Sequence, residues 1–288
     1  MMEKATRENI KTQETNTWCP GCGNFGILRA LQNAIVDLEL PREQVLLVTG
    51  IGCHGKMHNY VNVNGFHGIH GRVLPVMTGI KLANHELTVI GHAGDGDQFD
   101  EGLGHFPHAA RRNIDVKLFT HNNKVYGLTT GQTSPTSIQG YVSKTTPHGS
   151  FPPRIEPLRI ALASNATFVA RGWVGDVNHL KELMKAAIQH KGFAFVDILQ
   201  VCFTFNRVQN YQFYRDRVYK LDEEEHDPSD LYAAMKRAEE WGNKIPIGIF
   251  YQEERPIFRS SLPQIKKTPL VRQPIPPSNF AEGLQALK

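Results

Sequence analysis

The stretch LTVIGHAGDGDQFDEGLGHFPHAARRNIDVKLFTHNN, Leu87 to Asn123, decides the fold. Leu87 to Gly91 reads as a strand, Asp100 to Arg112 as a helix, and Val116 to Thr120 as a second strand. Gly94-Asp95-Gly96-Asp97 follows the first strand, and Asn122-Asn123 ends the second. About 25 residues separate Gly96 from Asn122, enough for one helix and one strand of a βαβ unit. Such a crossover returns the chain parallel to itself, so Asp95 and Asn123 meet at one edge of a sheet.

The same alternation continues outward. Val45 to Thr49 is a short apolar strand preceded by a helical pattern, Phe25 to Leu40, with Ile27, Leu28, Leu31, Ile35 and Leu38 on one stripe. Thr167 to Ala170 and Phe193 to Leu199 are later strands, separated by an amphipathic helix from Asp176 to His190. Apolar strands alternating with helices predict an α/β fold: a parallel sheet with helices on both faces. Ligands of such sheets bind beyond the strand C-termini. The character changes after Asn206, which divides the chain into residues 1–206 and a C-terminal extension, 207–288. There Ser229 or Asp230 caps a helix running to Trp241, and Ile247 to Tyr251 is one more strand. From Pro263 the chain is proline-rich (Pro269, Pro274, Pro276, Pro277), which predicts an extended tail on a neighbour or a disordered end.

The 288 residues suit one large domain or one domain plus an extension. A net charge of +4, with basic residues scattered, gives no argument for nucleic acid. No apolar run approaches the roughly 18 residues that span a bilayer. The polar start, Met1 to Thr17, has no apolar core of a signal peptide. A cytoplasmic protein is expected, in which cysteines stay reduced and serve as ligands rather than disulfides.

The Gly94–Asp97 and Asn122-Asn123 pair suits a magnesium diphosphate. Magnesium takes hard oxygen ligands, and Asp95 offers a carboxylate, Asn123 an amide oxygen and Val125 a backbone carbonyl. Glycines let the backbone approach phosphate. A glycine-aspartate turn alone is as well explained by the turn itself. With the two asparagines at this distance, the sequence resembles the thiamine-diphosphate enzymes. The resemblance implies Asp95, Asn123 and the Val125 carbonyl as magnesium ligands, and Gly96, Asp97, Gly127 and Leu128 along the diphosphate.

The four cysteines are Cys19, Cys22, Cys53 and Cys202. Cys19-Pro20-Gly21-Cys22 places turn residues between two thiols, as a shared metal centre requires. The residues alone leave a 4Fe-4S cluster, a zinc ion, or inert buried thiols at Cys53 and Cys202. The surrounding blocks go further. Thr17 to Gly26, Gly50-Ile51-Gly52-Cys53-His54-Gly55-Lys56, Phe66 to Pro75, Tyr126 to Thr129, Gly131 to Thr136 and Leu199-Gln200-Val201-Cys202 resemble, in order, the beta subunit of the 2-oxoacid:ferredoxin oxidoreductases. This resemblance implies the thiamine-diphosphate fold, with Cys19, Cys22, Cys53 and Cys202 holding one 4Fe-4S cluster. It adds Ile51, Gly52, Cys53, His54 and His70 to the cofactor-binding set, and makes His54 and His70 face the cofactor as candidate catalytic residues. Lys56 joins them as a candidate cation beside the diphosphate, against a plainly solvated lysine. His58 and His67 read as loop or packing histidines, and His85-Glu86-Leu87 lacks the second histidine of a metalloprotease helix. Two positions depart from the family pattern: Val201 replaces an expected proline, and Thr130 a lysine.

The implied activity is oxidative decarboxylation of a 2-oxoacid to acyl-coenzyme A and carbon dioxide, reversible in principle, with electrons passing singly to ferredoxin. 2-Oxoglutarate is favoured over pyruvate from the look of the His70–Pro75 and Gly127–Thr136 blocks. The chain has no second domain to supply the glutamate that activates the thiamine ring, so an alpha subunit is expected, in an alpha2beta2 assembly. Four cysteines leave room for one cluster, so ferredoxin is external. The competing readings are a non-redox thiamine-diphosphate decarboxylase subunit, which leaves the cysteines without work, and a zinc-stabilised binding module.

Overall fold

A computed structural model describes residues 3–274 and 280–285. In chain order the elements are α1 (Asn24–Asp37), β1 (Val45–Thr49), β2 (Asn64–His67), α2 (Val73–Ala83), β3 (Thr88–Gly94), α3 (His105–Arg111), β4 (Lys117–Asn122), β5 (Val125–Tyr126), β6 (Gln132–Thr133), α4 (Pro157–Ala163), β7 (Phe168–Trp173), α5 (Val177–Gln189), β8 (Ala194–Leu199), α6 (Tyr211–Arg215), β9 (Val218–Lys220), α7 (Leu231–Glu239), β10 (Ile245–Gln252) and α8 (Phe280–Gln285). Eight strands form one sheet in the order β2-β1-β3-β4-β8-β7-β10-β9. Every pairing is parallel except β10 with β7. The C-terminal ends of β1, β3, β4 and β8 therefore open onto one edge. Strands β5 and β6 form a separate small hairpin above it.

Successive strand residues face opposite sides, and the core divides accordingly. Leu47, Ile90, Phe119 and Val196 pack with Leu31 of α1 and Leu180 of α5 on one face. Val48, Val89, Leu118 and Phe195 pack with Met77 of α2, Phe106 of α3 and Leu158 of α4 on the other. Each fully buried side chain of this size contributes about 1.5–3 kcal/mol. The two-sided burial explains why the central strands read as continuous apolar runs rather than alternating ones.

Where the sequence shows a uniform periodicity, the elements agree with it. The helix expected from Asp100 to Arg112 is interrupted. A π-turn covers Asp97–Glu101, and α3 begins only at His105. Gly102, in the gap between them, lies against Gly71, where a side chain would come within 2.9 Å of the Gly71 Cα. Helix α2 lies inside the block Phe66 to Pro75 and beyond, with Pro75 in its first turn, where proline leaves no lost hydrogen bond. Asp230, not Ser229, caps α7, accepting the Tyr232 and Ala233 N–H groups at 2.8 and 3.1 Å.

Residues after Asn206 extend the same sheet through β10 and β9. The proline-rich segment packs on its own chain as far as it is described: Ile265 is buried, and Arg272 pairs with Glu86 at 2.6 Å. Pro276 and Pro277 lie outside the described residues.

Candidate active site

Four loops leaving the C-terminal edge build two cavities side by side. The first is a cleft of about 620 Å³. Its lining includes Ile51, Gly52, Cys53, His54, His70, Asp95, Gly96, Asp97, Asn123, Val125, Gly127 and Leu128, all expected there from sequence. Lys56 is not among them. Its ammonium donates to the Thr17 hydroxyl at 2.6 Å, and the residue lines the second cavity instead.

Asp95 follows β3 in full burial, and burial pushes its carboxyl up from the ordinary range. The Ser134 and Thr136 hydroxyls counter this, both donating to Oδ2 at 2.5 Å. The Thr136 hydroxyl also lies 2.9 Å from the Asn122 side-chain oxygen. One carboxylate oxygen is thus anchored from the β6 loop, and the other is left to the cleft. The Asn123 amide oxygen accepts the Val125 N–H at 3.0 Å, and its Nδ2 lies 3.4 Å from Gln200 Oε1. A carboxylate, an amide oxygen and a peptide carbonyl are hard donors of the kind that magnesium takes.

Asp97 and His54 sit in a slot made by glycines. Asp97 Oδ1 accepts the Gly71 N–H at 2.7 Å, and Oδ2 lies 3.3 Å from His54 Nε2. Side chains at Gly50, Gly52 or Gly94 would collide with one or the other: a Cβ on Gly50 would stand 1.9 Å from Asp97 Oδ2, and one on Gly94 2.9 Å from the His54 ring. The ring of Tyr126 covers Gly96, where a Cβ would come within 2.4 Å of it. Its hydroxyl donates to Asp100 at 2.8 Å, and burial with that carboxylate keeps the phenol protonated.

Beneath the cleft, His121 Nδ1 lies 2.7 Å from Asn24 Oδ1, and His92 Nδ1 lies 2.9 Å from His121 Nε2. Burial drives His92 down to about 3 and His121 well below the usual imidazole range, so both rings are neutral. Lys124 follows Asn123 in a left-handed backbone conformation (φ 65°) and is buried over the Trp241 ring at 4.8 Å. Burial lowers its ammonium to about 8, against the pull of Asp197 and Asp95.

The second cavity, of about 640 Å³, is lined by all four cysteines, with Trp18, Lys56 and Phe203 to Phe205 around them. All four thiols are free. Burial pushes Cys22 up to about 12, and repulsion from Cys202, Cys53 and Cys19 adds to it, which records their mutual proximity. Burial raises Cys53 and Cys202 as well. Nearby backbone N–H groups of Phe205, Asn206 and Thr204 counter this at Cys202, and that of Asn24 at Cys22. Such donors suit thiolates held by a cationic centre. Among the described residues, no three His, Cys, Asp or Glu side chains stand close enough to hold a single metal ion. A cubane cluster spreads its four thiolates over four irons, so its ligands stand further apart than those of one zinc. Four free cysteines around one chamber are the donor set that such a cluster takes.

The cleft and the chamber share a wall. Cys53, Asn123, Gly127, Leu128 and Gln200 line both. A side chain at Gly127 would stand 3.6 Å from the Cys202 sulfur and 3.7 Å from that of Cys53. Sequence reasoning assigns Gln200, Trp18 and Lys124 no role. Ser134 and Thr136 lie inside a quoted block, but only the fold shows that their hydroxyls hold Asp95.

Comparison with known proteins places this arrangement. Residues 50–198 match the thiamine pyrophosphate enzyme, C-terminal TPP binding domain. Residues 202–267 match the C-terminal family of the pyruvate ferredoxin oxidoreductase beta subunit. The chain is 48% identical over 253 residues, 84% of its length and 80% of the relative's, to the beta subunit of 2-oxoacid:ferredoxin oxidoreductase 1 of Aeropyrum pernix. It is 47% identical over 189 residues, 66% of its length and 51% of the relative's, to the KorB subunit of the 2-oxoglutarate oxidoreductase of Mycobacterium tuberculosis. Among solved structures, the 2-oxoglutarate:ferredoxin oxidoreductase from Magnetococcus marinus, with 2-oxoglutarate, coenzyme A and succinyl-CoA bound, is similar at a TM-score of 0.91 and 37% identity, covering 100% of this chain and 97% of that one.

Proposed function

This chain belongs to the beta subunits of the 2-oxoacid:ferredoxin oxidoreductases, and we propose that it binds thiamine diphosphate with magnesium in the cleft and one 4Fe-4S cluster in the cysteine chamber. With an alpha subunit, in an alpha2beta2 assembly, it converts a 2-oxoacid and coenzyme A to acyl-coenzyme A and carbon dioxide and reduces ferredoxin. The observation that carries this reading is the shared wall, which sets a cofactor cleft and a four-cysteine chamber in contact. When bound, thiamine diphosphate supplies an electron sink for the decarboxylation, and the cluster supplies a one-electron relay.

The chain's own residues bind and orient. Asp95, the Asn123 amide oxygen and the Val125 carbonyl hold magnesium. Gly96, Asp97, Gly127 and Leu128 line the diphosphate, with Ile51, Gly52 and Cys53 beside them. His54 and His70 face the cofactor from the cleft wall, and His54 Nε2 stands 3.3 Å from the Asp97 carboxylate. Lys56 acts on the cluster side, since it lines that chamber. Cys19, Cys22, Cys53 and Cys202 ligate the cluster. The favoured substrate is 2-oxoglutarate, supported by the names of the mycobacterial and Magnetococcus relatives. Among the described residues no helix is long and apolar enough to cross a membrane. Four free thiols in one chamber suit a reducing compartment, and we assign the enzyme to the cytoplasm.

Anaerobic purification with the alpha subunit, followed by visible spectroscopy and iron and sulfide analysis, tests the proposal. A brown protein with about four irons per chain, bleached by 2-oxoglutarate and coenzyme A faster than by pyruvate and coenzyme A, is expected. A colourless protein holding one zinc would remove the redox role and leave a non-redox thiamine enzyme.

A further inference from the structure

An external electron acceptor has to reach the cysteine chamber from a side that the thiamine cleft does not occupy. Trp18 lines that chamber and donates its indole N–H to the Cys53 carbonyl at 2.7 Å. Phe25 packs edge-on against Trp18, with ring centroids 5.5 Å apart at 90°. Its backbone N–H also donates to the Cys22 carbonyl at 3.2 Å, so the aromatic pair is tied to two of the cysteines. The Phe25 ring is 41% exposed and forms the floor of a groove of about 1230 Å³ between the N-terminal segment, α1 and the start of α5.

The groove is basic. Arg7, Lys11, Arg29 and Lys181 line it, against one acid, Asp37. Asp37 is held by Lys181 at 2.7 Å and Lys185 at 3.7 Å, which neutralises it. Arg7, Lys11 and Arg29 are exposed and form no ion pair among the described residues. An uncompensated positive field therefore lies directly outside the aromatic pair that leads to the cysteines. The mouth of the thiamine cleft is different in kind: it carries exposed Leu128, and Ile69 stands exposed next to cleft-lining His70. Apolar surface of that sort suits a permanent interface between subunits, whereas charge suits a transient partner that must arrive quickly and leave.

We propose that the groove floored by Phe25 and lined by Arg7, Lys11 and Arg29 is the docking surface for an acidic one-electron carrier protein. The inference rests on the ferredoxin-reducing activity proposed above and names the surface that serves it. Opposite charge steers the carrier to the face where Trp18 and Phe25 form a covered path to the cysteines.

The test uses the assembled enzyme with its alpha subunit, carrying K11E and R29E together, and a second variant carrying K11Q and R29Q. Reduction of a two-cluster ferredoxin and of methyl viologen is measured at about 0.02 M and about 0.5 M salt, where screening lengths differ several-fold. The charge reversal is expected to raise the ferredoxin KM at low salt about tenfold or more. The neutral variant falls between it and wild type, the difference closes at high salt, and viologen reduction is unchanged in both. A ferredoxin KM equal to wild type at low salt would overturn the assignment. So would loss of assembly with the alpha subunit on gel filtration, which would make the groove a subunit interface. Wild-type enzyme that reduces viologen but not ferredoxin would instead sink the proposed function itself.

Discussion

Gly50→Ala is a one-carbon change with a calculable consequence. The new Cβ would stand 1.9 Å from Asp97 Oδ2 and 2.6 Å from its Cγ, so the carboxylate has to move. It has little room to do so. Asp97 is 3% exposed, takes the Gly71 N–H at 2.7 Å and lies 3.3 Å from His54. Overpacking costs about 1–3 kcal/mol, and leaving the buried Gly71 N–H without its acceptor costs about 1–3 kcal/mol more. The sum, about 2–6 kcal/mol, corresponds to a fall in melting temperature of at least about 4 °C for a chain of this size. Asp97 also lines the cleft, so thiamine diphosphate affinity is expected to fall about tenfold or more. Scanning calorimetry of the assembled enzyme gives the first quantity and calorimetric titration with thiamine diphosphate and magnesium the second. The decisive control is the same change in an Asp97→Ala background, where the colliding atoms are gone and most of the cost is expected to vanish. Equal destabilisation in both backgrounds, with unchanged cofactor affinity in the single variant, would refute the reasoning.

Other outcomes follow from neighbouring contacts. Thr136→Val removes a hydroxyl from Asp95 Oδ2 and from Asn122; magnesium–thiamine diphosphate affinity should fall about tenfold, with Thr136→Ser restoring most of it in the same titration. A methyl at Gly127 would meet the Cys202 and Cys53 sulfurs at ordinary contact distance, so Gly127→Ala should keep its iron while Gly127→Val loses it by colorimetric assay. His92 and His190 are buried with imidazoles lowered to about 3 and about 4. Folded-state values below the unfolded value mean that the unfolded chain binds more protons, so stability is full above about pH 6.5 and is lost as pH falls from there through pH 4. Each ring adds up to about 1.4 kcal/mol per pH unit in that window, and His190→Gln should flatten the denaturation profile by one proton; a slope identical to wild type would contradict the assignment.

The sequence displays the strands whose burial on both faces forces an apolar run, and so β1, β3, β4 and β8 are legible with the loops that leave them. It does not display β2, whose residues Asn64–His67 are exposed throughout and carry no apolar pattern. Helix α4 is seven residues long, too short for a period to stand out, although Pro157 opens it as proline can. The direction of β10 is equally hidden, because no residue pattern distinguishes an antiparallel neighbour. Residues that could hold the cofactor are legible because their chemistry is rare: paired asparagines, a glycine-aspartate turn, isolated cysteines. Their supports are not. Ser134 and Thr136 are ordinary hydroxyls, and their partnership with Asp95 spans 39 and 41 positions, a contact that only the crossover geometry creates. Lys56 shows how a local turn decides which cavity a residue lines. Its place three residues from Cys53 suggests a position beside the diphosphate, but the turn of 3-10 helix over Cys53–Asn59 rotates it toward Thr17 and the cysteine chamber.

That rotation bears on why one chain carries both cavities. The loop after β1 enters the cleft at Ile51 and leaves through the chamber at Lys56, with Cys53 in the wall between them. The segment after β8 does the same: Gln200 lines both sides, and Cys202 lines only the chamber. Both loops start from parallel neighbours of the central strands, so the sheet edge itself fixes the separation of the two sites. A cluster carried on a flexible arm or a separate domain would need docking at each turnover, and two one-electron transfers would double that requirement. A relay held in the wall of the cleft, as proposed above, would remove the step. One side chain of that wall touches both sites: Gln200 lies within 3.4 Å of Asn123 and 3.7 Å of the Cys22 sulfur. Gln200→Leu should therefore weaken thiamine diphosphate binding and shift the cluster's midpoint potential in the same variant. A change in only one of the two, measured by calorimetric titration and by redox titration followed by electron paramagnetic resonance, would show that the sites are neighbours without being coupled.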